Sequence, residues 1–333
     1  MPTLEFGPVL RAMRTNKLGV GLLVCEIAFA TAVIVNGLAI VSKNRERLSI
    51  PSGLDEAHMM AVMIQSHGDA FDDAQYMRQT IDADLAMIRA QPGVVGACAI
   101  SPWPLQGGGS STQMKPAGAP DADLVRCPQY RVDEHFLGAL GLELAEGRAF
   151  TAADIPPVPD PNDPAPPSQS GPTPDNVSVT KALADALFPD GGALGGQITG
   201  PGGGDTGDTI VGIVRYMFTP YDNGASGMET RILFYPRKPG SRSGSGYMVR
   251  AEPGAYDDLF TGVEERLTER NPERIVTTQA MLEIKERGQF LNLIVVRILT
   301  TIIGLLLFVT AIGIFGMTSF AVAKRRRQIG VRR

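Results

Sequence analysis

The stretch Gly200-Pro201-Gly202-Gly203-Gly204-Asp205-Thr206-Gly207 has the glycine density of a loop whose backbone N–H groups could cradle a phosphate. It lacks the Gly-Lys-Ser/Thr ending that supplies an ammonium for the phosphates and a hydroxyl for magnesium. No Walker A motif occurs anywhere in the chain, which therefore is not itself an ATPase. His58, His67 and His135 are isolated from one another and from any cysteine or carboxylate at metal-ligand spacing. No Gly-x-Ser-x-Gly elbow is present, and the carboxylates are scattered without a pair suited to acid–base work. The expectation is a non-catalytic protein with no cofactor and no metal.

The remaining polar residues of note lie in or beside apolar surroundings. Glu26 and Asn36 interrupt a long apolar run, where an ionised or amide group is costly unless it meets a partner. A contact to another helix or a transport path is one reading; a packing hydrogen bond inside a helical bundle is favoured. Of the three cysteines, Cys25 belongs to that same run. Cys98 and Cys127 share the middle of the chain, where an oxidising compartment would permit a disulfide and a reducing one would leave two buried thiols. Lys324, Arg325, Arg326, Arg327, Arg332 and Arg333 crowd the last ten residues, although the net charge is only −4. The cluster follows an apolar helix directly, which argues against nucleic acid and for a membrane edge.

These positions are set by two apolar segments. Leu18 to Val41 reaches about 36 Å as a helix, longer than the ~30 Å hydrocarbon core, and too long for the apolar part of a signal peptide. Leu291 to Ala323 is the second, uncharged from Ile298 onward and preceded by an amphipathic lead-in over Met281 to Phe290. The Lys/Arg cluster after Ala323 places that end in the cytoplasm. The middle of the chain then lies outside, and the N-terminus, with Arg11, Arg14 and Lys17, lies inside. Gly304, Gly313 and Gly316 suit close helix approach.

Residues 42–290 form the domain between the spans. Its opening predicts a strand over His58 to Gln65, a helix over Asp72 to Ala90 and a strand over Val94 to Ile100. Its end predicts strands over Arg231 to Tyr235 and Tyr247 to Ala251, a helix over Ala255 to Arg270, and a strand over Arg274 to Thr278. A βαβ unit at each end suggests an α+β sandwich split by an insertion. The insertion runs from about Gln129 to Tyr216, with helices over Asp133 to Leu140 and Lys181 to Leu187 and strands at Val177 to Val179 and Thr209 to Val214. The proline-dense stretch Ile155 to Pro174 reads as an extended linker, and Gly191 to Gly207 as a flexible loop or hairpin tip.

The last stretch, from Gly304 through Gly313-Ile314-Phe315-Gly316 to Lys324-Arg325-Arg326-Arg327-Gln328-Ile329-Gly330-Val331-Arg332, resembles the second transmembrane helix and cytoplasmic exit of FtsX-like permeases. Gln328 stands where that family usually has Glu. The middle domain is similar to the MacB-like periplasmic core, on Tyr130-Arg131-Val132, Leu140-Gly141-Leu142, Gly147-Arg148-Ala149-Phe150, Val177 to Ala184, Leu187-Phe188-Pro189 and Ile210 to Val214. The resemblance implies a permease subunit of a MacB/FtsX-type ABC transporter in the bacterial inner membrane, with its large domain in the periplasm. It implies as partners a separate P-loop ATPase, a second permease copy or paralogue, membrane lipid and a periplasmic adaptor. Lys324, Arg325, Arg326, Arg327, Gln328, Ile329, Gly330 and Arg332 would then lie at the ATPase contact. Such permeases have four spans, so a chain stopping at Arg333 is expected to be truncated or a fragment. The alternatives are a two-span sensor whose output module follows Arg333, or a regulator of a cell-wall enzyme.

Overall fold

The structure, a computed structural model, describes residues 17–119, 121–157, 175–220, 227–238 and 245–330. It divides into two units: Pro51–Gln289, and the two chain ends Met1–Ile50 and Phe290–Arg333. The proline-dense stretch expected as a linker lies mostly outside the described residues.

In the larger unit, strand β1 (Met59–Ser66) leads through helix α2 (Ala74–Arg89) to β2 (Val94–Ser101). Helix α1 (Lys17–Ser49) precedes it. Asp73 starts α2 by accepting hydrogen bonds from the N–H groups of Gln75 (2.7 Å) and Tyr76 (3.2 Å), so the helix begins later than Asp72. Near the end of the unit, β10 (Ser245–Ala251), α5 (Tyr256–Arg270) and β11 (Arg274–Ala280) repeat the pattern. These four strands lie in the order β11-β1-β10-β2, each antiparallel to its neighbour. Each βαβ unit is thus split by a strand of the other, and the order 4-1-3-2 is that of a ferredoxin-like sheet.

Both faces of this sheet are covered. Met60, Val62 and Ile64 of β1, with Ala97, Ala99, Tyr247 and Val249, pack under Ile81, Leu85 and Ile88 of α2 and Leu259, Val263 and Leu267 of α5. The alternate residues Met59, Ala61, Cys98, Ile100 and Met248 face a second core with Tyr130, Phe136 and Phe234. Burial on two sides explains why β1 reads as an unbroken apolar run rather than an alternation.

Between the halves run β3 (Ser110–Pro116), β4 (Val125–Val132), α3 (Phe136–Leu140), β5 (Leu144–Gly147), β6 (Asn176–Thr180), α4 (Lys181–Leu187), β7 (Gln197–Thr199), β8 (Asp208–Val214) and β9 (Leu233–Pro236). Their pairings close on themselves in the cycle β4-β3-β7-β8-β6-β9-β4. Closure satisfies backbone groups that an open sheet would leave at its edges. Leu183, Ala184 and Leu187 of α4 pack with Met114, Val177, Val179, Ile198, Ile210 and Leu233 into a third core. β5 pairs outside the ring on β8, and β4 joins the first sheet through Ile100↔Val132.

Two sequence expectations are corrected here. The inserted sheet draws on more chain than Gln129 to Tyr216, because β3 before it and β9 after it pair inside the ring. Sequence pattern groups β9 with the closing βαβ unit, yet its partners are β4 and β6. The glycine-rich stretch is also not all loop: β7 lies within it, paired with β3 and β8.

The smaller unit holds α1 and most of α6 (Met281–Gly330). Their apolar windows, Val24–Glu46 and Leu293–Gly316, have mean hydropathies of 2.1 and 2.6. Phe29, Phe308 and Phe315 are 68%, 64% and 75% exposed, an arrangement water would penalise and lipid would not. The described residues that are not exposed form one stripe per helix. On α1 it is Glu26, Ala30, Val33, Ile34, Gly37, Val41 and Asn44; on α6, from Val296 onward, it is Val296, Leu299, Ile303, Leu306, Thr310 and Gly313. A spacing alternating between four and three residues is that of two helices packed side by side. A Cβ added at Gly37 would lie 3.0 Å from Ile303 Cδ1, and one at Gly313 would lie 2.9 Å from a Glu26 carboxylate oxygen. Gly313 therefore leaves the room that Glu26 occupies.

Candidate coupling site

The first turns of α6 belong to the larger unit, and the core grips them. Met281 is fully buried and Ile284 nearly so, in the cluster that holds Met59, Trp103, Leu105 and Phe234. Lys285 Nζ meets both carboxylate oxygens of Glu56, at 2.7 and 2.6 Å. Glu56 comes soon after the end of α1, so the pair ties the chain entering the domain to the chain leaving it. Its side chains are 14% (Glu56) and 21% (Lys285) exposed, so water screens the pair only in part.

The entering segment is fastened along its length. Ser52 Oγ donates to Glu56 and accepts from Leu54 N–H at 3.1 Å. The Ser52 carbonyl accepts from Phe218 N–H at 2.9 Å, and the Pro51 carbonyl from Tyr216 Oη–H at 2.9 Å. Gly53, at φ +80°, lies under the Tyr216 ring, where a Cβ would come to 2.9 Å of Cδ1. Residues 51–56 are therefore placed by hydrogen bonds to a strand exit far away in sequence and by one ion pair to α6.

Five carboxylates brace the rest of the domain, and four of them, Asp84, Asp133, Asp175 and Asp208, are buried. Asp84, fully buried on α2, accepts from Tyr247 Oη–H at 2.8 Å and from both Arg274 terminal nitrogens, one of them at 3.3 Å. Burial, and then the Asp84 charge, push the Tyr247 phenol well up, so it stays a donor. Asp133 accepts from Ala99 N–H (3.1 Å), His135 N–H (2.9 Å) and Arg89 Nη2 (3.0 Å). Burial raises its carboxyl, opposed by those bonds. Asp154 takes a two-pronged pair from Arg148 at 2.7 and 2.8 Å and a further bond from Asn176 Nδ2 at 2.7 Å. The Arg148 bonds hold it well below the usual carboxylate range. Asp175 pairs with Arg237, and its N–H donates to Asp208 at 2.9 Å. Burial, chiefly, lifts the Asp208 carboxyl. Each of these acids has basic or N–H partners and a bracing position. Among the described residues no group of His, Cys, Asp and Glu is arranged to hold a metal ion.

The residues singled out in the sequence are placed as follows. Glu26 faces Gly313 within the helix pair, and Asn36 Nδ2 donates to the Ala32 carbonyl of its own helix at 2.9 Å. Cys98 and Cys127 are free, buried and in different cores. The disulfide alternative is thereby corrected: β2 and β4 meet only at Ile100↔Val132 and Ser101↔Arg131, a register that carries the two thiols apart along antiparallel strands. Lys324, Arg325, Arg326, Arg327, Gln328, Ile329 and Gly330 form the last turns of α6, their side chains outside the described set; Arg332 lies outside the described residues. Phe150 of the Gly147-to-Phe150 motif packs against Phe136 with the rings tilted and centroids 5.4 Å apart, and Arg148 is the partner of Asp154. The motif is thus a folding device. Glu56 and Lys285 do not stand out in the sequence; nothing local marks a lone Glu and a lone Lys as partners.

The thiols carry an expectation. Burial pushes Cys127 up to about 12 and Cys98 well above its ordinary value, and only the thiolate is nucleophilic. In the native protein at pH 8 neither should take up a maleimide, whereas both should after denaturation. Mass spectrometry of labelled peptides checks this, and rapid native labelling at either position would contradict the buried placement.

The profile of the MacB-like periplasmic core domain family matches residues 24–262. Among solved structures, the chain is similar to the periplasmic region of MacB from Actinobacillus actinomycetemcomitans. That match has 15% identity and a TM-score of 0.43, over 70% of this chain and 93% of that one. It is also similar to the extracellular domain of the ABC-type transporter YknZ from Gram-positive bacteria. There the identity is 11% and the TM-score 0.38, over 66% of this chain and 99% of that one. No curated protein matches.

Proposed function

We propose, since this chain belongs to the MacB-like periplasmic core domain family, that it is the permease subunit of an ABC transporter, coupling ATP hydrolysis on a separate subunit to motion of its extracytoplasmic domain. The observation that carries this reading is the family match over residues 24–262, in a chain that has two helices long and apolar enough to cross a membrane. In this reading residues 1–17 are cytoplasmic, 18–41 and 291–323 span the inner membrane, 42–290 are periplasmic with 129–216 within the inserted part, and 324–333 return to the cytoplasm. The basic residues after Ala323 support that orientation. A second permease copy or paralogue and a periplasmic adaptor complete the assembly, which serves export or mechanotransmission.

The Glu56–Lys285 pair and the buried Met281 and Ile284 give such a subunit a firm hold on the helix that contains the second span. A conformational change can only pass between domain and helix if the joint resists shear, and a part-buried ion pair beside an apolar anchor supplies that resistance. At the other end of α6, Lys324, Arg325, Arg326, Arg327, Gln328, Ile329, Gly330 and Arg332 are the proposed ATPase contact.

The test is a detergent pull-down of the full-length gene product from its native membranes. A P-loop ATPase among the bound proteins supports the permease; signalling proteins, or nothing with a nucleotide site, would move the reading to a sensor. Reversing Arg325, Arg326 and Arg327 to Glu should lower ATPase recovery at least several-fold, or invert the second span by removing its inward charge. Unchanged topology together with unchanged recovery would refute both roles of the cluster.

A further inference from the structure

One turn beyond Lys285, α6 carries Gly288, and its backbone lies directly against the loop that joins β2 to β3. A Cβ added at Gly288 would sit 2.6 Å from the Gln106 carbonyl carbon and 2.7 Å from Gly107 N, and closer still to the Leu105 carbonyl oxygen. The reverse also holds: a Cβ at Gly107 would meet Gly288 Cα at 2.9 Å, its carbonyl carbon at 3.0 Å, and its oxygen closer still. Two main chains touch here with no side chain between them, and backbone cannot move aside as a flexible side chain can.

The loop that receives Gly288 is itself held rigidly. Trp103 and Leu105 are buried in the same core as Met281 and Ile284. Trp103 lies over β10, where a Cβ at Gly246 would come to 2.7 Å of its Cζ2 and closer still to its Cη2. Leu105 adopts φ +62°, a left-handed conformation that a branched side chain takes only when its surroundings impose it. Gly107, at φ +80°, completes the turn that lays the loop on the helix. Met281, Ile284, Lys285 and Gly288 recur at helical spacing, so the apolar anchor, the ion pair and the backbone contact lie along one face of the helix.

We propose that Gly288, seated on the Leu105–Gly107 backbone, is a positioning residue for coupling: it sets the depth and rotation at which the domain holds α6. The inference rests on the permease reading and deepens it. The apolar anchor and the ion pair tolerate small displacements, whereas a contact between two main chains leaves no flexible group to absorb one. Coupling through α6 therefore depends on the absence of a side chain at position 288.

The test is Gly288→Ala in the full-length chain, purified with its ATPase. Helix propensity favours this substitution, so any local loosening must come from the lost seat. Gly262→Ala on α5, where an added Cβ meets nothing within 4 Å, is the control. Hydrogen exchange over residues 281–288 is expected to speed up about tenfold, with exchange over β1 unchanged and the control unaffected. ATPase co-purification should be unchanged, while the kcat of ATP hydrolysis by the complex falls several-fold at constant KM. Unaltered exchange over 281–288, or faster exchange with unaltered hydrolysis, would overturn the proposal. The exchange comparison needs no ATPase and decides the seat by itself. Failure of the wild-type chain to retain any ATPase would instead overturn the permease reading, and the coupling role with it.

Discussion

Asp84→Ala should destabilise the extracytoplasmic domain by about 3–5 kcal/mol, the largest effect expected of any single substitution described here. Asp84 is fully buried, and so nearly is Arg274, whose charge it neutralises. Removing the carboxylate leaves a guanidinium in the core without the carboxylate that neutralised it, donating to the neutral Leu267 carbonyl at 3.2 Å, and strips the Tyr247 hydroxyl of its acceptor. The loss falls on the joint among α2, α5, β10 and β11, so the two split βαβ units are loosened together. Against a total stability of about 5–15 kcal/mol typical of folded domains, about a fifth or more is at stake. Thermal unfolding of the full-length protein should show a midpoint lowered on the order of 10 °C. The double variant Asp84→Met with Arg274→Met separates the causes: if the penalty is the orphaned charge, the pair of apolar side chains should recover most of the loss. A single-variant shift below about 1 kcal/mol would show that the pair is hydrated rather than buried.

The second expectation concerns the Glu56–Lys285 clamp. Lys285→Met should cost about 1.5–3 kcal/mol, the range for a hydrogen bond to a charged group, and Glu56→Gln about the same. Their combined cost should be well below the sum, because each removes the same interaction. The charge swap Glu56→Lys with Lys285→Glu should regain part of it. The functional effect should exceed the stability effect. The clamp is the only ion pair among the described residues that joins α6 to the segment following α1. With the pair broken, stimulated ATP hydrolysis by the intact complex should fall several-fold while the domain stays folded. Strict additivity of the two single variants, read by denaturant or thermal unfolding, would show that the pair makes no net contribution.

Of the four braces other than Asp84, Asp133 and Asp154 hold chain segments in place through backbone N–H groups as well as arginines. They behave as structural acids. The feature that distinguishes the Glu56–Lys285 pair from them is its position, at the two ends of the domain with Lys285 on the helix that carries the second apolar window.

Local pattern carried a large part of this protein. Helix α4 occupies the residues its spacing predicts, Lys181–Leu187, and α5 follows its apolar stripe Leu259, Val263 and Leu267. Asp73 caps α2 as an Asp ahead of a helical repeat should. The two helices long and apolar enough to cross a membrane follow from length and composition alone, because a helix must be about 20 apolar residues long to cross lipid. These features depend on residues within a few turns of one another, which is the range over which sequence periodicity reports burial.

What escaped the sequence depends on partners distant along the chain. β3 (Ser110–Pro116) is too polar to stand out as a strand, yet β4 and β7 pair with it on either side. Proximity along the chain assigns β9 to the closing βαβ unit; parallel pairing with β4 and antiparallel pairing with β6 draw it into the ring. Asp84 and Arg274 are separated by 190 positions, Glu56 and Lys285 by 229. No local rule pairs a carboxylate with one base rather than another at such separation, since the choice is made by which strands lie side by side. The sequence by itself determined the helices, the two segments apolar and long enough to cross a membrane, and the family resemblance, because each follows from near-neighbour chemistry. Only the tertiary structure decided which charges are neutralised, which thiols stay apart, and where the domain grips α6, because those depend on strand order and on backbones meeting across the fold.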